Sequence, residues 1–230
     1  CVVPSRPGGK TVIWQWHNAW DILREIVVDG LRVTLLATVL GSALAYTLGL
    51  LLTLLRRSPI RIVSSTTWAF IELVRSTPLL VQIFFFFFVL PDFGVRFDPL
   101  TTGVIALGVH YATYCAEVYR AGIEAVPVGQ WEAAVALNLP RLRTWTAVIL
   151  PQAVPRVLPA LGNYTISMLK ETPLLLMIGV LDIVGVANQL GSRAFRYVEP
   201  ITIAGVLFLV LSYSASLLVR GMERRVRYSH

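Results

Sequence analysis

Apolar residues in this chain come in long blocks, separated by short polar stretches rich in arginine. A helix needs roughly 20 mostly apolar residues to cross the ~30 Å hydrocarbon core of a bilayer. Five blocks reach that length: 31–55, 66–90, 100–126, 154–180 and 201–219. The pattern predicts an all-α polytopic membrane protein of about five transmembrane helices. Residues 14–28 come before them. That segment mixes Trp14, Trp16 and Trp20 with Asp21, Arg24 and Glu25. It suits a separate interfacial helix whose indoles lie at headgroup level. Residues 1–28 are thus expected to hold a lead-in and an interfacial helix. The transmembrane domain is expected over residues 29–225, with a short cytoplasmic tail at 226–230. The chain opens on Cys1, not Met, so the natural N-terminus is expected further upstream, and residues up to Lys10 are expected to be a disordered lead-in.

Composition agrees with the blocks. Of the 230 residues 56% are hydrophobic and 14% charged, and mean hydropathy is +0.69. A soluble domain of this size needs more charge to cover its surface. The net charge of +7 does not point to nucleic acid, because the basic residues sit at the ends of apolar blocks. Arg56, Arg57 and Arg61 separate the first two spans. Arg120, Arg141, Arg143 and Arg156 flank the loop after the third. Arg220, Arg224, Arg225 and Arg227 close the chain. With five spans these clusters share one side, and the positive-inside rule makes it cytoplasmic. The N-terminus is then expected outside and the C-terminus inside, in a bacterial inner membrane. The two cysteines, Cys1 and Cys115, do not form a disulfide framework.

Two stretches speak to packing. Gly41, Ala45 and Gly49 recur every fourth residue in the first span, a spacing that lets two helix backbones approach closely. Packing within the chain is preferred to a dimer interface. Phe84 to Phe88 cover every face of a helix, so some must meet lipid and some protein.

The loop at 126–151 is the chemically distinctive one. Gly129 is expected to start a short helix over 130–137, with Glu132 in its first turn, where the helix dipole favours an anion. Ala133, Ala134 and Ala136 leave little side-chain bulk. Asn138 and Pro140 form a stop, since asparagine tolerates the left-handed conformation and proline cannot continue a helix. A short, small-faced helix of this kind slots into a partner's groove.

Glu132-Ala133-Ala134, then Asn138, Val148 and Leu150-Pro151 resemble the EAA loop of ABC importer permeases. That motif has Gly where this chain has Asn138, and Ile where it has Val148. The likeness extends over residues 29–225. Arg75-Ser-Thr-Pro78-Leu-Leu-Val-Gln82, Ala116-Glu117-Val-Tyr-Arg120, Gly129-Gln130-Trp131-Glu132 and Leu169-Lys170-Glu171-Thr172 resemble the polar-amino-acid permeases of the histidine/glutamine/arginine type. Within that group, Tyr111-Ala-Thr-Tyr114, Lys170-Glu-Thr-Pro173 and the stretch from Gly191 to Tyr197 are most similar to an ectoine/hydroxyectoine permease subunit.

The resemblance implies an import machine. Two permease subunits, identical or paralogous, would form the pathway. A cytoplasmic ABC ATPase dimer would dock on the EAA loops through Gly129, Glu132, Ala133, Ala134, Asn138, Leu150 and Pro151. An extracytoplasmic solute-binding protein would deliver the solute. This chain has no phosphate-cradling Gly-x-x-x-x-Gly-Lys-Ser/Thr loop, so ATP and magnesium would bind the ATPase. No catalytic set is visible, and His17, His110 and His230 are too scattered for a metal site. The chain is therefore not expected to be an enzyme. A stand-alone secondary transporter or channel for a small zwitterion is the alternative, and it leaves the EAA-like loop without a role.

Charges inside spans cost about 2.5–3.5 kcal/mol each on insertion scales and call for a function. Lys170 and Glu171 are expected midway along the fourth span, beside a helix disturbed at Pro173. Such a break suits a zwitterion, with Lys170 toward its carboxylate and Glu171 toward its cation. Pairing of Glu171 with an arginine of another span is the competing reading. Tyr111, Tyr114, Gln82 and Thr172 are the further pathway candidates. Glu72 with Arg75, and Glu117 with Arg120, are spaced i,i+3. They read either as edge ion pairs or as a gate.

Overall fold

A computed structural model describes Trp14 and residues 16–227, leaving the rest of the lead-in, Cys1 and His230 outside the described residues. The first two predicted elements are in fact one. Helix α1 (Trp16–Glu25) runs through a π-helical stretch (Ile26–Gly30) into α2 (Leu31–Arg56). Asn18–Arg56 forms one 39-residue helix of hydropathy 2.0, about 58 Å long at 1.5 Å per residue. The separate interfacial helix is therefore corrected. Nothing between Val28 and Leu31 stops a helix, and Gly30 keeps helical torsions at φ −72. The chain absorbs an extra residue as a π-turn instead of breaking. Gly30 also has a packing role. A Cβ there would lie 2.8 Å from the Ile183 Cα.

The small-residue stripe of α2 packs against α5 (Pro99–Glu124). A Cβ on Gly49 would meet Cys115 Cβ at 2.7 Å and the Ala112 carbonyl at 2.8 Å. The stripe thus serves packing within the chain. Asp98 starts α5, accepting from the Thr101 amide at 3.0 Å. Hydrogen bonds from Thr101 hold its carboxyl below the ordinary range. Helix α5 is central, with Ala106, Leu107, Ala112, Thr113 and Cys115 wholly buried. Protein rather than lipid surrounds it, so Thr, Gly, His and Tyr are tolerated. For the same reason it is not one of the helices that, among the described residues, are long and apolar enough to span alone, Asn18–Arg56 and Val198–Gly221.

The second span is broken. Helix α3 (Arg61–Arg75) gives way at Ser76-Thr77-Pro78 to α4 (Leu79–Phe84) and its continuation to Phe93, bent by 105°. Pro78 lacks an N–H and pushes Thr77 out of the helical region. The Gln82 side chain repairs the break, its Nε2 donating to the carbonyls of Val74 (2.7 Å) and Thr77 (3.1 Å). The phenylalanine run divides: Phe85 and Phe88 are exposed, while Phe84, Phe86 and Phe87 pack on the core.

The fourth span is broken too. Helix α6 (Val128–Ala136) and the single turn α7 (Arg141–Arg143) precede α8 (Leu150–Glu171). A tighter 3₁₀ stretch, Thr172–Ile178, follows and ends at Gly179 with φ 85. Helix α9 (Ile183–Ala194) then leaves at 46° to Arg141–Ile178. Asp182 starts α9, accepting from the Gly185 amide at 2.8 Å. Lys170 and Glu171 thus stand at the end of a helix, at a break, not midway along a straight one. Helix α10 (Val198–Arg227) closes the described chain, and only 6% of its most apolar window is buried, as for a lipid-facing helix.

Candidate functional site

Helix α6 begins straight after Pro127, whose carbonyl accepts from the Gln130 amide at 2.9 Å. That start precedes the expected one, and Glu132 is the fifth helical residue. Glu132 therefore lies beyond the first turn, outside the reach of the helix N-terminus expected from the sequence. At the other end Asn138 has φ 50. The Leu139 amide reaches the Ala134 carbonyl and the Asn138 amide that of Val135. These two bonds make a Schellman stop with Asn138 at the left-handed position.

One face of α6 is fastened to the bundle. Ala134 is buried, and Trp131 packs on Val126, Ile149 and Ala153. The Trp131 and Trp145 rings meet edge to face at 5.3 Å. The Arg57 guanidinium lies 5.5 Å from the Trp145 ring centre, joining the α2–α3 turn to the same stack. The adjoining face carries Val128, Glu132 and Val135 at i, i+4 and i+7. Val128 is 70% and Val135 76% exposed, so this face is apolar and uncovered. Gly129, Ala133 and Asn138 are also exposed. Leu150 is partly exposed, and Pro151 sits in the first turn of α8.

Near this end an ion network ties α2 to α5. Glu117 takes Arg56 at 3.2 Å and Arg120 at 2.7 Å, and Arg120 also takes Glu124 at 2.6 Å. Glu72 and Arg75 do not pair. Arg75 ends α3, so its side chain reaches across to α5, where it lies 5.1 Å from the Tyr114 ring centre.

The second candidate region surrounds Glu171. The Tyr111 hydroxyl donates to Glu171 Oε2 at 2.8 Å. Tyr111, Tyr114 and Tyr164 sit with ring centres 5.5–6.0 Å apart, and His110 lies 5.2 Å from Tyr114. Among the described residues, Glu171 has no ion-pair partner. The structure thus joins Tyr111, Tyr114, Arg75 and Glu171 in one cluster. It places three other candidates differently. Lys170 is exposed, about 100° round the helix from Glu171. Gln82 holds the α3–α4 break and meets His110 Nδ1 at 3.2 Å. Thr172 is buried, donating to the Leu169 carbonyl at 3.0 Å.

Three participants escape the sequence reading. Tyr164 precedes Glu171 by seven residues, two helical turns, and that spacing was the available signal. Asp182 before Ile-Val-Gly is a helix-start signature. Arg57 on Trp145 had none, because the two residues are distant in sequence.

Residues 37–228 match the family described as binding-protein-dependent transport system inner membrane component. The chain is 45% identical over 198 residues to the probable amino-acid ABC transporter permease protein y4tG of Sinorhizobium fredii, covering 86% of each chain. It is 33% identical to the glutamine transport system permease protein GlnP of Escherichia coli, over 93% of this chain and 98% of the relative. Among solved structures it is similar to an amino acid ABC transporter crystallised with histidines, with 35% identity and a TM-score of 0.87 over 93% of this chain and 100% of that one. The MetNI methionine ABC transporter shares the fold, at 20% identity and a TM-score of 0.73 over 93% of this chain and 99% of that one.

Proposed function

The chain belongs to the inner membrane components of binding-protein-dependent transport systems, and from that premise we propose that it carries a polar, amino-acid-like zwitterion inward, with ectoine or hydroxyectoine as its substrate. It is a permease subunit of an ABC importer, not an enzyme. A partner ATPase dimer binds ATP and magnesium and docks on the exposed face of α6. A second permease completes the pathway, and an extracytoplasmic binding protein supplies solute. In this reading α6 and the C-terminus are cytoplasmic and the N-terminus is outside, as the positive-inside rule favours for the arginine clusters.

Glu171 carries this reading. An acidic group at a helix break, held by a tyrosine hydroxyl and ringed by aromatics, suits the cationic end of a zwitterion. Tyr111, Tyr114 and Tyr164 offer faces to its ring or chain. Lys170 and Arg75 are the two cations for the carboxylate. Arg75 already lies on the cluster, so the carboxylate is assigned to Arg75 rather than Lys170. The Glu117 network is a latch near the α6 end. Its partly exposed pairs contribute little to stability, as expected of contacts that must open.

The substrate assignment is tested by uptake of labelled ectoine into proteoliposomes holding the whole transporter and its binding protein. Saturable uptake, suppressed by hydroxyectoine and unaffected by equal glutamine or arginine, is expected. Uptake of glutamine or arginine without ectoine uptake would overturn the substrate while leaving the importer in place.

A further inference from the structure

We propose that the basin at the α2–α3 turn binds the phosphate of an anionic lipid headgroup. The basin, of about 580 Å3, is lined by Arg56, Ser58, Arg61, Ser64, Ser65 and Trp68. It lies where the long apolar helix Asn18–Arg56 ends in an arginine cluster, the kind of cluster that flanks the hydrocarbon at a span's end. This placement holds in either orientation.

The chemistry is that of a phosphate diester. Arg61 has no ion-pair partner among the described residues, and Arg56 gives only Nη1 to Glu117. A guanidinium carries five donors in a planar fork that matches phosphate. Ser58 Oγ accepts from the Ile60 amide at 3.3 Å, which leaves its own O–H to donate. No acid lines the basin. A second charged basin, beside α1 and α9, is lined by Asp21, Glu25 and Glu199 as well as Arg193 and Arg196. Its arginines face carboxylates, so it is no anion site.

Apolar exposure selects lipid over free phosphate. Ile60 is 59% and Ile62 79% exposed, and Trp68 is 49% exposed on the basin wall. Around a soluble anion these side chains would face water. Beside a lipid, they meet acyl chains and the indole takes its usual interfacial depth. Basic pockets between membrane helices recognise such headgroups through these same groups.

The test uses the full chain with its partner ATPase in phosphatidylcholine nanodiscs containing a minority of phosphatidylglycerol. Lipids retained by the complex are counted by native mass spectrometry. Wild type is expected to retain phosphatidylglycerol. Arg61→Gln is expected to lower its occupancy about fivefold, Ser65→Ala to lower it less, and Arg24→Gln, at the other end of the long helix, to leave it unchanged. Equal retention by wild type and Arg61→Gln overturns the site. Displacement of phosphatidylglycerol by millimolar inorganic phosphate overturns the lipid as its source. Retention only after the ATPase is removed overturns it too, by showing that this face belongs to the partner.

Discussion

Glu171→Gln lowers the initial rate of ATP-driven uptake about 10- to 100-fold while the amount of transporter in the membrane stays constant. Glutamine keeps the shape of the side chain, and its amide oxygen still accepts from the Tyr111 hydroxyl, 2.8 Å away in the native protein. Only the charge is lost. A hydrogen bond to a charged group is worth about 1.5–3 kcal/mol, which sets that range of rates. Tyr111→Phe removes an orienting bond to that carboxylate, worth about 1.5 kcal/mol at the lower end of the same range, and lowers uptake about tenfold. The cation assignment separates two further variants in the same assay: Arg75→Gln raises KM strongly, whereas Lys170→Met raises it little. Normal rate and KM in Glu171→Gln would remove Glu171 from the pathway. Strong effects of Lys170→Met with none of Arg75→Gln would return the carboxylate to Lys170.

Asn138→Val uncouples the transporter. Asn138 has φ 50, a conformation that costs a β-branched residue about 1–3 kcal/mol. Valine forces the stop of α6 to rearrange. The last turn of α6, with Val135, then shifts, while Trp131 and Ala134 stay anchored on the bundle. ATP hydrolysed per solute imported is expected to rise several-fold. Asn138→Gly, free of the steric penalty, keeps the native ratio. An unchanged ratio in the valine variant would mean that the docking face does not depend on this turn.

The two breaks explain how far the sequence could be read. Helix class and the left-handed stop at Asn138 were legible because each rests on local chemistry: apolar block length, and a side chain that tolerates positive φ. The bend at Pro78 was legible as a proline but not as a 105° turn. Its angle depends on Gln82 reaching back to Val74 and Thr77. The seam between α1 and α2 failed in the other direction. Polar and aromatic residues suggested a separate interfacial helix, yet no helix stop lies between them, and Gly30 is held by α9. In the candidate site, Tyr111, Tyr114 and Glu171 were found by charge and spacing. Arg75 was found but given the wrong partner, because i,i+3 spacing reports neighbours on one helix and not the reach of a terminal side chain across to another.

The most direct test of the central claim is solute uptake by purified permease, reconstituted with the ATPase that accompanies it in mild detergent and supplied with its binding protein. The account predicts that the ATPase copurifies, that uptake requires hydrolysable ATP, and that a non-hydrolysable analogue stops it. Uptake that persists without ATP, or a permease that transports with no ATPase bound, would contradict it.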